Sequence, residues 1–178
     1  MYKQCKTLKS RDRQKEFEQT LLRMMEKQLF KEITVSALCR EMGAPRKAFY
    51  RYFDSMEDVL NALTDEVIVE ASLHVDGQIE LERFFEYWRK ETAFLDVLQK
   101  NGLSQKMMER CFSMVLADEC LDMNSVNAMK RAGYISAMLT LVTMWHHNGM
   151  KQSVGEMKNL VLQMFVNESK KEDENVRK

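Results

Sequence analysis

Residues Ile33 to Leu60 read ITVSALCREMGAPRKAFYRYFDSMEDVL, and the fold is decided there. Thr34 is an N-cap type ahead of a short apolar-patterned run, Val35–Met42, and its hydroxyl can accept one of the orphan amides of the first turn. Gly43 follows at once, where a helix stopping in the left-handed conformation wants a residue without a Cβ. Pro45 then stands at a first helical position, where a missing amide proton costs nothing. A third helix over Pro45–Tyr52 is therefore expected. Ser55 opens a fourth, with Glu57 and Asp58 in its first turn where carboxylates meet the helix dipole. Two short helices around a glycine turn describe a helix-turn-helix. Such a unit braces one helix on the phosphate backbone and sends the other into the major groove. Ala48, Phe49 and Phe53 are the inward residues here, with Leu38 and Met42. Arg46, Lys47, Tyr50, Arg51 and Tyr52 are left to face groove and phosphates.

Outward from this stretch the helical period continues. Phe17, Leu21 and Met24 repeat with Leu22, Met25 and Leu29 at three- and four-residue steps, predicting a helix over Asp12–Leu29. Met1–Arg11 reads as a solvated basic tail. The fourth helix carries Val59, Leu60, Leu63, Val67 and Ala71 and ends before Gly77. Ile79–Lys100 reads as one helix, stopping at Asn101-Gly102, and Ser104 leads a run to about Ala117. A short helix or turn covers Asp118–Met123, and a long helix runs from Ser125 to about His147, closed by Asn148-Gly149. Ser153 and Glu156 form a capping box for a last helix to about Glu168. From Ser169 the chain is a charged, frayed tail. One proline and six glycines in 178 residues agree with helices throughout, since both residues interrupt them.

Composition narrows the class of function. Hydrophobic residues make up 45% and charged residues 30%, the balance of a globular chain with a real core. No stretch reaches the roughly 18 apolar residues that cross a bilayer, and MYKQCKTLKSRDR lacks the apolar centre of a signal peptide. A cytoplasmic chain with no membrane partner is expected. The net charge of zero conceals an asymmetry: Met1–Phe53 holds 13 Lys+Arg against 6 Asp+Glu, and the remainder holds 14 against 21. A basic reader joined to an acidic body suits a polyanionic partner for the first part alone. The four cysteines, Cys5, Cys39, Cys111 and Cys120, show no metal-ligand spacing and read as reduced thiols, a Cys111–Cys120 redox pair being the alternative. His74, His146 and His147 form no catalytic or zinc pattern, the adjacent pair pointing about 100° apart on a helix. Neither a phosphate-binding glycine loop nor a nucleophile elbow occurs. No enzyme, metal or cofactor is expected.

The segment from Ile33 to Leu60 resembles the DNA-binding head of the tetracycline-repressor family. The likeness rests on Thr34 before the second helix, Gly43 at the turn, the Phe49-Tyr50-Arg51-Tyr52-Phe53 core and the Ser55-Met56-Glu57-Asp58-Val59-Leu60 entry to the fourth helix. Trp145-His146-His147-Asn148-Gly149-Met150, with Ser153 and Glu156, is more weakly similar to the end of the family's ligand domains. The resemblance implies an all-α chain of about nine helices. A three-helix helix-turn-helix head, residues 1–54, would precede a helical effector-binding and dimerisation domain, residues 55–178, with helix 55–76 connecting the two. By position it assigns Thr34, Tyr50 and Tyr52 to phosphates, and Ser36, Arg46 and Lys47 to bases with Arg51 beside them; Arg40 serves either backbone or groove. Two departures bear on this: Met56 stands where the family usually has a phosphate-anchoring lysine, and Pro45 and Lys47 replace a commoner serine and a small residue.

The body offers two further surfaces. Tyr134, Met138, Leu141 and Trp145 form one apolar stripe of the long helix, and Ile135, Leu139, Val142 and His146 form a second. Such a width of apolar surface does not suit a helix with its back to water. With Met157, Leu160, Val161 and Met164 on the last helix, the second stripe is the candidate face of a homodimer built as a four-helix interface. Two copies would set their reading helices about one DNA turn apart, roughly 34–36 Å, on a pseudo-palindromic double-stranded operator. Phe85, Trp88, Met108, Phe112 and Met138 are the candidate lining of a pocket, and the family resemblance implies a small apolar effector there whose binding releases DNA. A helical adaptor acting only through protein partners, and an activator without an effector, are the alternative readings.

Overall fold

The computed structural model describes residues 2–3, 7–72, 81–116 and 126–165. Among them every regular element is helical: α1 Leu8–Lys27, a 3-10 turn Phe30–Glu32, α2 Val35–Glu41, α3 Arg46–Phe49, α4 Met56–Ser72, α5 Leu81–Lys90, α6 Thr92–Lys100, α7 Ser104–Leu116, α8 Val126–His147 and α9 Val154–Phe165. The region expected to form a turn or helix over Asp118–Met123, the end of the helix expected to stop before Gly77, and the tail from Ser169 lie outside the described residues.

The chain packs as two compact units. One gathers residues 1–70 with 93–117, and the other gathers 71–92 with 118–178. These packing units are not drawn along the expected division at residue 54, because α6 and α7 pack into the first unit along with α1–α3 and most of α4.

In the first unit, Phe17, Leu21 and Met25 of α1 are buried with Leu38 of α2, Phe49 of α3, Phe53, and Val59 and Leu60 of α4. Three of these rings interlock. Phe17 meets Phe49 edge-on at 5.7 Å and Phe53 at 5.9 Å, while Phe49 and Phe53 lie 5.6 Å apart. Such pairs add about 0.5–1.5 kcal/mol each beyond the area they bury. The corner between α6 and α7 is fastened to the end of α1. The amide of Phe30 donates to Asn101 Oδ1 at 2.6 Å, Asn101 Nδ2 donates to the Val97 carbonyl, and Lys100 Nζ donates to the Glu26 carbonyl.

Between α1 and α4 the core turns polar. Glu18 is 3% exposed and its Oε1 accepts from Gln14 Nε2 at 3.1 Å. Burial pushes its carboxyl up to about 7, and a hydrogen bond and charge repulsion from Glu66 push the same way. Glu66 itself pairs with Lys15.

In the second unit, Phe85 of α5 meets Trp145 of α8 edge-on at 5.6 Å, and the Arg89 guanidinium lies over the same indole at 5.6 Å. Trp145 Nε1 donates to the Gln152 carbonyl. Lys158 of α9 pairs with Glu82 of α5 at 2.9 Å.

Local signals place most helix ends. Thr34 Oγ1 accepts from the Ala37 amide at 3.1 Å, Ser55 Oγ from the Asp58 amide at 3.1 Å, and Gly43 sits at φ +60°. The capping box is complete, Glu156 Oε2 accepting from the Ser153 amide at 2.7 Å and Ser153 Oγ from the Glu156 amide at 3.2 Å. Four boundaries differ from the sequence reading. Helix α1 starts four residues earlier, because Thr7 caps it by accepting from the Ser10 amide. Pro45 is the extended N-cap of α3 rather than its first helical residue, and α3 ends at Phe49. The run expected as one helix to Lys100 breaks at Glu91, where Thr92 Oγ1 bonds back to the Arg89 carbonyl at 2.7 Å. The basic tail is also anchored at Tyr2 and Lys3, whose side chains hydrogen-bond to Asp65 and to the Tyr50 carbonyl.

Candidate nucleic-acid interface

The segment expected to read DNA is a four-residue helix, α3, held from beneath. Phe49 and Phe53, both fully buried, pin it to Phe17, and the Gly43 turn sets its angle to α2. The amide of Ala44 donates to the Cys39 carbonyl at 2.8 Å, closing α2 against the turn. Anchored on that side, α3 presents Arg46 and Lys47 to solvent, and the turn after it presents Tyr50 and Arg51. Arg46 Nη2 donates to the Tyr50 hydroxyl at 3.2 Å, one helical turn on. That contact holds a guanidinium and a phenol together on the outer face, a pair able to meet a guanine edge and a phosphate oxygen respectively.

Helix α2 contributes exposed Thr34, Ser36 and Arg40. The Thr34 oxygen is occupied as the helix cap, so its hydroxyl proton is the part left to offer a phosphate. Tyr52 is different: it is half-buried, its ring 6.1 Å from Phe17, so it belongs partly to the core. Ala48 and Met42, expected inward, are half-buried, whereas Leu38 is completely so.

Lys3 is a residue that reading by windows does not reach. Its amide donates to the Tyr52 carbonyl at 3.0 Å, its Nζ donates to the Tyr50 carbonyl at 2.8 Å, and it pairs with Asp54 at 3.3 Å. Nothing within a helical period of Tyr50 announces a partner 47 positions away.

The candidate effector residues fall in both units. Phe85, Trp88 and Met138 are buried in the second; Met108 is half-buried and Phe112 is 48% exposed on α7 of the first. Among the described residues, buried Trp88 Nε1 has no hydrogen-bond acceptor. The candidate dimer residues also divide. Leu139, Val142, Met157 and Val161 are buried by the chain itself, Ile135 and His146 are half-buried, and Leu160 and Met164 are 39% and 43% exposed. Cys39 and Cys111 are buried free thiols, burial pushing the Cys111 thiol up to about 11; Cys5 and Cys120 lie outside the described residues. No described helix is long and apolar enough to cross a membrane.

A capped helix, a glycine turn and a second short helix with a basic outer face make this a helix-turn-helix module. Residues 20–63 match the family model of bacterial regulatory proteins of the tetR family. The likeness to that family is one of the head, over residues 20–63. The HTH-type transcriptional regulator EthR of Mycolicibacterium smegmatis is 38% identical over 69 residues, which are 39% of this chain. The match spans 32% of that protein, about a third of its length. Over a longer stretch, the fatty acid degradation regulator FadR of Bacillus halodurans superimposes with a TM-score of 0.48 at 13% identity, covering 90% of this chain and 96% of that one.

Proposed function

We propose that this chain is a sequence-specific DNA-binding transcriptional regulator, acting as a homodimer on a pseudo-palindromic operator. One observation carries the reading: Arg46 and Lys47 on α3, with Tyr50 and Arg51 on the turn that follows it, stand exposed while the other side, at Phe49, is locked to the core. A groove-reading element has to be basic outside and immobile underneath, and α3 is both. In this reading residues 1–54 read DNA and residues 55–178 form the effector-binding and dimerisation domain, acting by binding rather than catalysis in the cytoplasm. Thr34, Tyr50 and Tyr52 serve phosphates, Ser36, Arg46 and Lys47 serve bases, and Arg40 and Arg51 flank them.

Regulation follows from the body. The chain is a repressor released by a small, mostly apolar effector; such a ligand must favour the form that does not hold DNA, or it shifts nothing. Of the expected contacts, the proposal keeps Phe85, Trp88 and Met138 of the second unit. The unsatisfied indole N–H of Trp88 supports a ligand with one acceptor atom, because an orphaned buried donor costs the protein about 1–3 kcal/mol until it is met.

The test begins with selection of bound sequences from random duplexes by the full chain. Arg46→Ala combined with Tyr50→Phe abolishes the shift of the selected duplex while leaving the far-ultraviolet dichroism unchanged. Wild-type affinity should fall steeply as salt rises, since each contacted phosphate releases counterions. Undiminished binding by the double variant, or affinity indifferent to salt, refutes the assignment.

A further inference from the structure

We infer that Tyr2 and Lys3 are positioning residues for the DNA-reading helix, forming a polar strap that references its carbonyl end to α4 and α7. The inference rests on the DNA-binding reading above. Four residues are too few for a helix to hold itself, and its terminal carbonyls lack partners within the helix. The turn that closes α3 meets its last carbonyls, and Lys3 holds the carbonyls of that turn, its amide donating to Tyr52 and its ammonium to Tyr50, with Asp54 balancing the charge.

Next in the chain, Tyr2 leads away from α3. Its hydroxyl donates to Asp65 Oδ2 at 2.7 Å, and Asp65, 7% exposed on α4, also receives Arg110 of α7 in a two-pronged pair, Nε at 2.5 Å and Nη2 at 2.6 Å. Hydrogen bonds to ionised groups are shorter and about twice as strong as neutral ones, so the Asp65 end of the strap is firm. Burial and the Asp65 carboxylate both push the Tyr2 hydroxyl upward, keeping it a proton donor at any ordinary pH. Lys106 of α7 pairs with Glu57 in the first turn of α4 as a second tie between those helices. The Tyr50 and Tyr52 carbonyls are thus connected through Lys3 and Tyr2 to a carboxylate shared with α7. A change in how α7 holds Asp65 alters what Tyr2 and Lys3 can do for α3.

The experiment compares Tyr2→Phe, Lys3→Gln and Arg110→Gln with wild type, all full length. Each is measured against the selected duplex and a scrambled duplex, and by amide hydrogen exchange. Each single change weakens the selected duplex by about fivefold to tenfold and leaves the scrambled duplex within about twofold. Amides of residues 48–54 exchange several-fold faster, while those of α8 and α9 do not change. Tyr2→Phe with Arg110→Gln is no worse than the poorer single variant, because both act through one carboxylate. Unchanged exchange at 48–54 overturns the inference, as does faster exchange with undiminished operator affinity. Equal loss on both duplexes assigns a merely structural role and overturns it as well. If wild type binds no duplex, the DNA reading fails separately while the exchange readout still decides whether the strap holds α3.

Discussion

Glu18→Gln is expected to stabilise the protein at pH 8 and to do almost nothing at pH 4.5. Burial first, and then Glu66, lift the Glu18 carboxyl from an ordinary 4.5 to about 7. Below pH 4.5 both folded and unfolded chains carry the proton and the site is neutral in the balance. As pH rises from 4.5 toward 7 the unfolded chain ionises first, so the folded state loses relative stability; above 7 the loss is complete. A displacement of that size corresponds to on the order of 3 kcal/mol. Glutamine mimics the protonated carboxyl. Its carbonyl oxygen still accepts from Gln14 Nε2 and its amide donates to the Glu66 carboxylate, which keeps Lys15 as counter-ion. The variant therefore escapes the penalty without losing the contacts. For a chain of this length each kcal/mol moves the melting temperature by about 2–4 °C, giving roughly 6–12 °C at pH 8. The assay is thermal unfolding of both proteins at one concentration across pH 4.5 to 8, since association would otherwise shift the midpoint. An equal gain at both ends of the range, or a loss at pH 8, refutes the reasoning.

Gly43→Ala meets no atom within 4 Å at the new methyl group, so its cost is conformational only: φ +60° disfavours any Cβ, by about 1 kcal/mol, and the melting temperature falls by about 2–4 °C. Ser153→Ala removes the oxygen that caps Glu156 and leaves Glu156 facing a single amide; urea unfolding should show a loss of about 1 kcal/mol with an unchanged slope. Leu160→Glu with Met164→Glu puts two charges on the exposed side of α9 and should weaken self-association by roughly a hundredfold in sedimentation, without lowering the helical content. A dimer as tight as wild type would move the proposed interface off α9.

Much of the head, and the start of α9, was legible because the determinants are local. Thr34, Gly43, Ser55 and the Ser153–Glu156 box each act within four residues, and each lies where its residue type requires. The inward set was legible for the same reason, since Phe49 and Phe53 are one turn apart. What escaped depends on distance along the chain. The break between α5 and α6 has no glycine or proline to mark it, and the apolar period runs through it. The docking of Lys3 on Tyr50, the Asp65–Arg110 pair and the Phe30–Asn101 bond span 47, 45 and 71 positions, beyond any window. Glu18 was invisible in a different way: a glutamate on an amphipathic helix reads as solvated until α4 closes over it.

The body shows why periodicity falls short of an interface. A stripe of apolar residues says that something covers it, and says nothing about whose atoms do. On α9 the two possibilities lie side by side. Met157 and Val161, four apart, are buried by the chain's own second unit; Leu160 and Met164, also four apart and one position round the helix, remain exposed. The same spacing and the same residue class therefore have different occupants. On α8, Leu139 and Val142 are already covered, leaving half-buried Ile135 and His146 as the part of that stripe a second copy can still use. A partner adds stability only over surface that the monomer has left to water. The proposed dimer must therefore rest on Leu160 and Met164, with Ile135 and His146 at its margin, and the buried four hold the helices in place from behind.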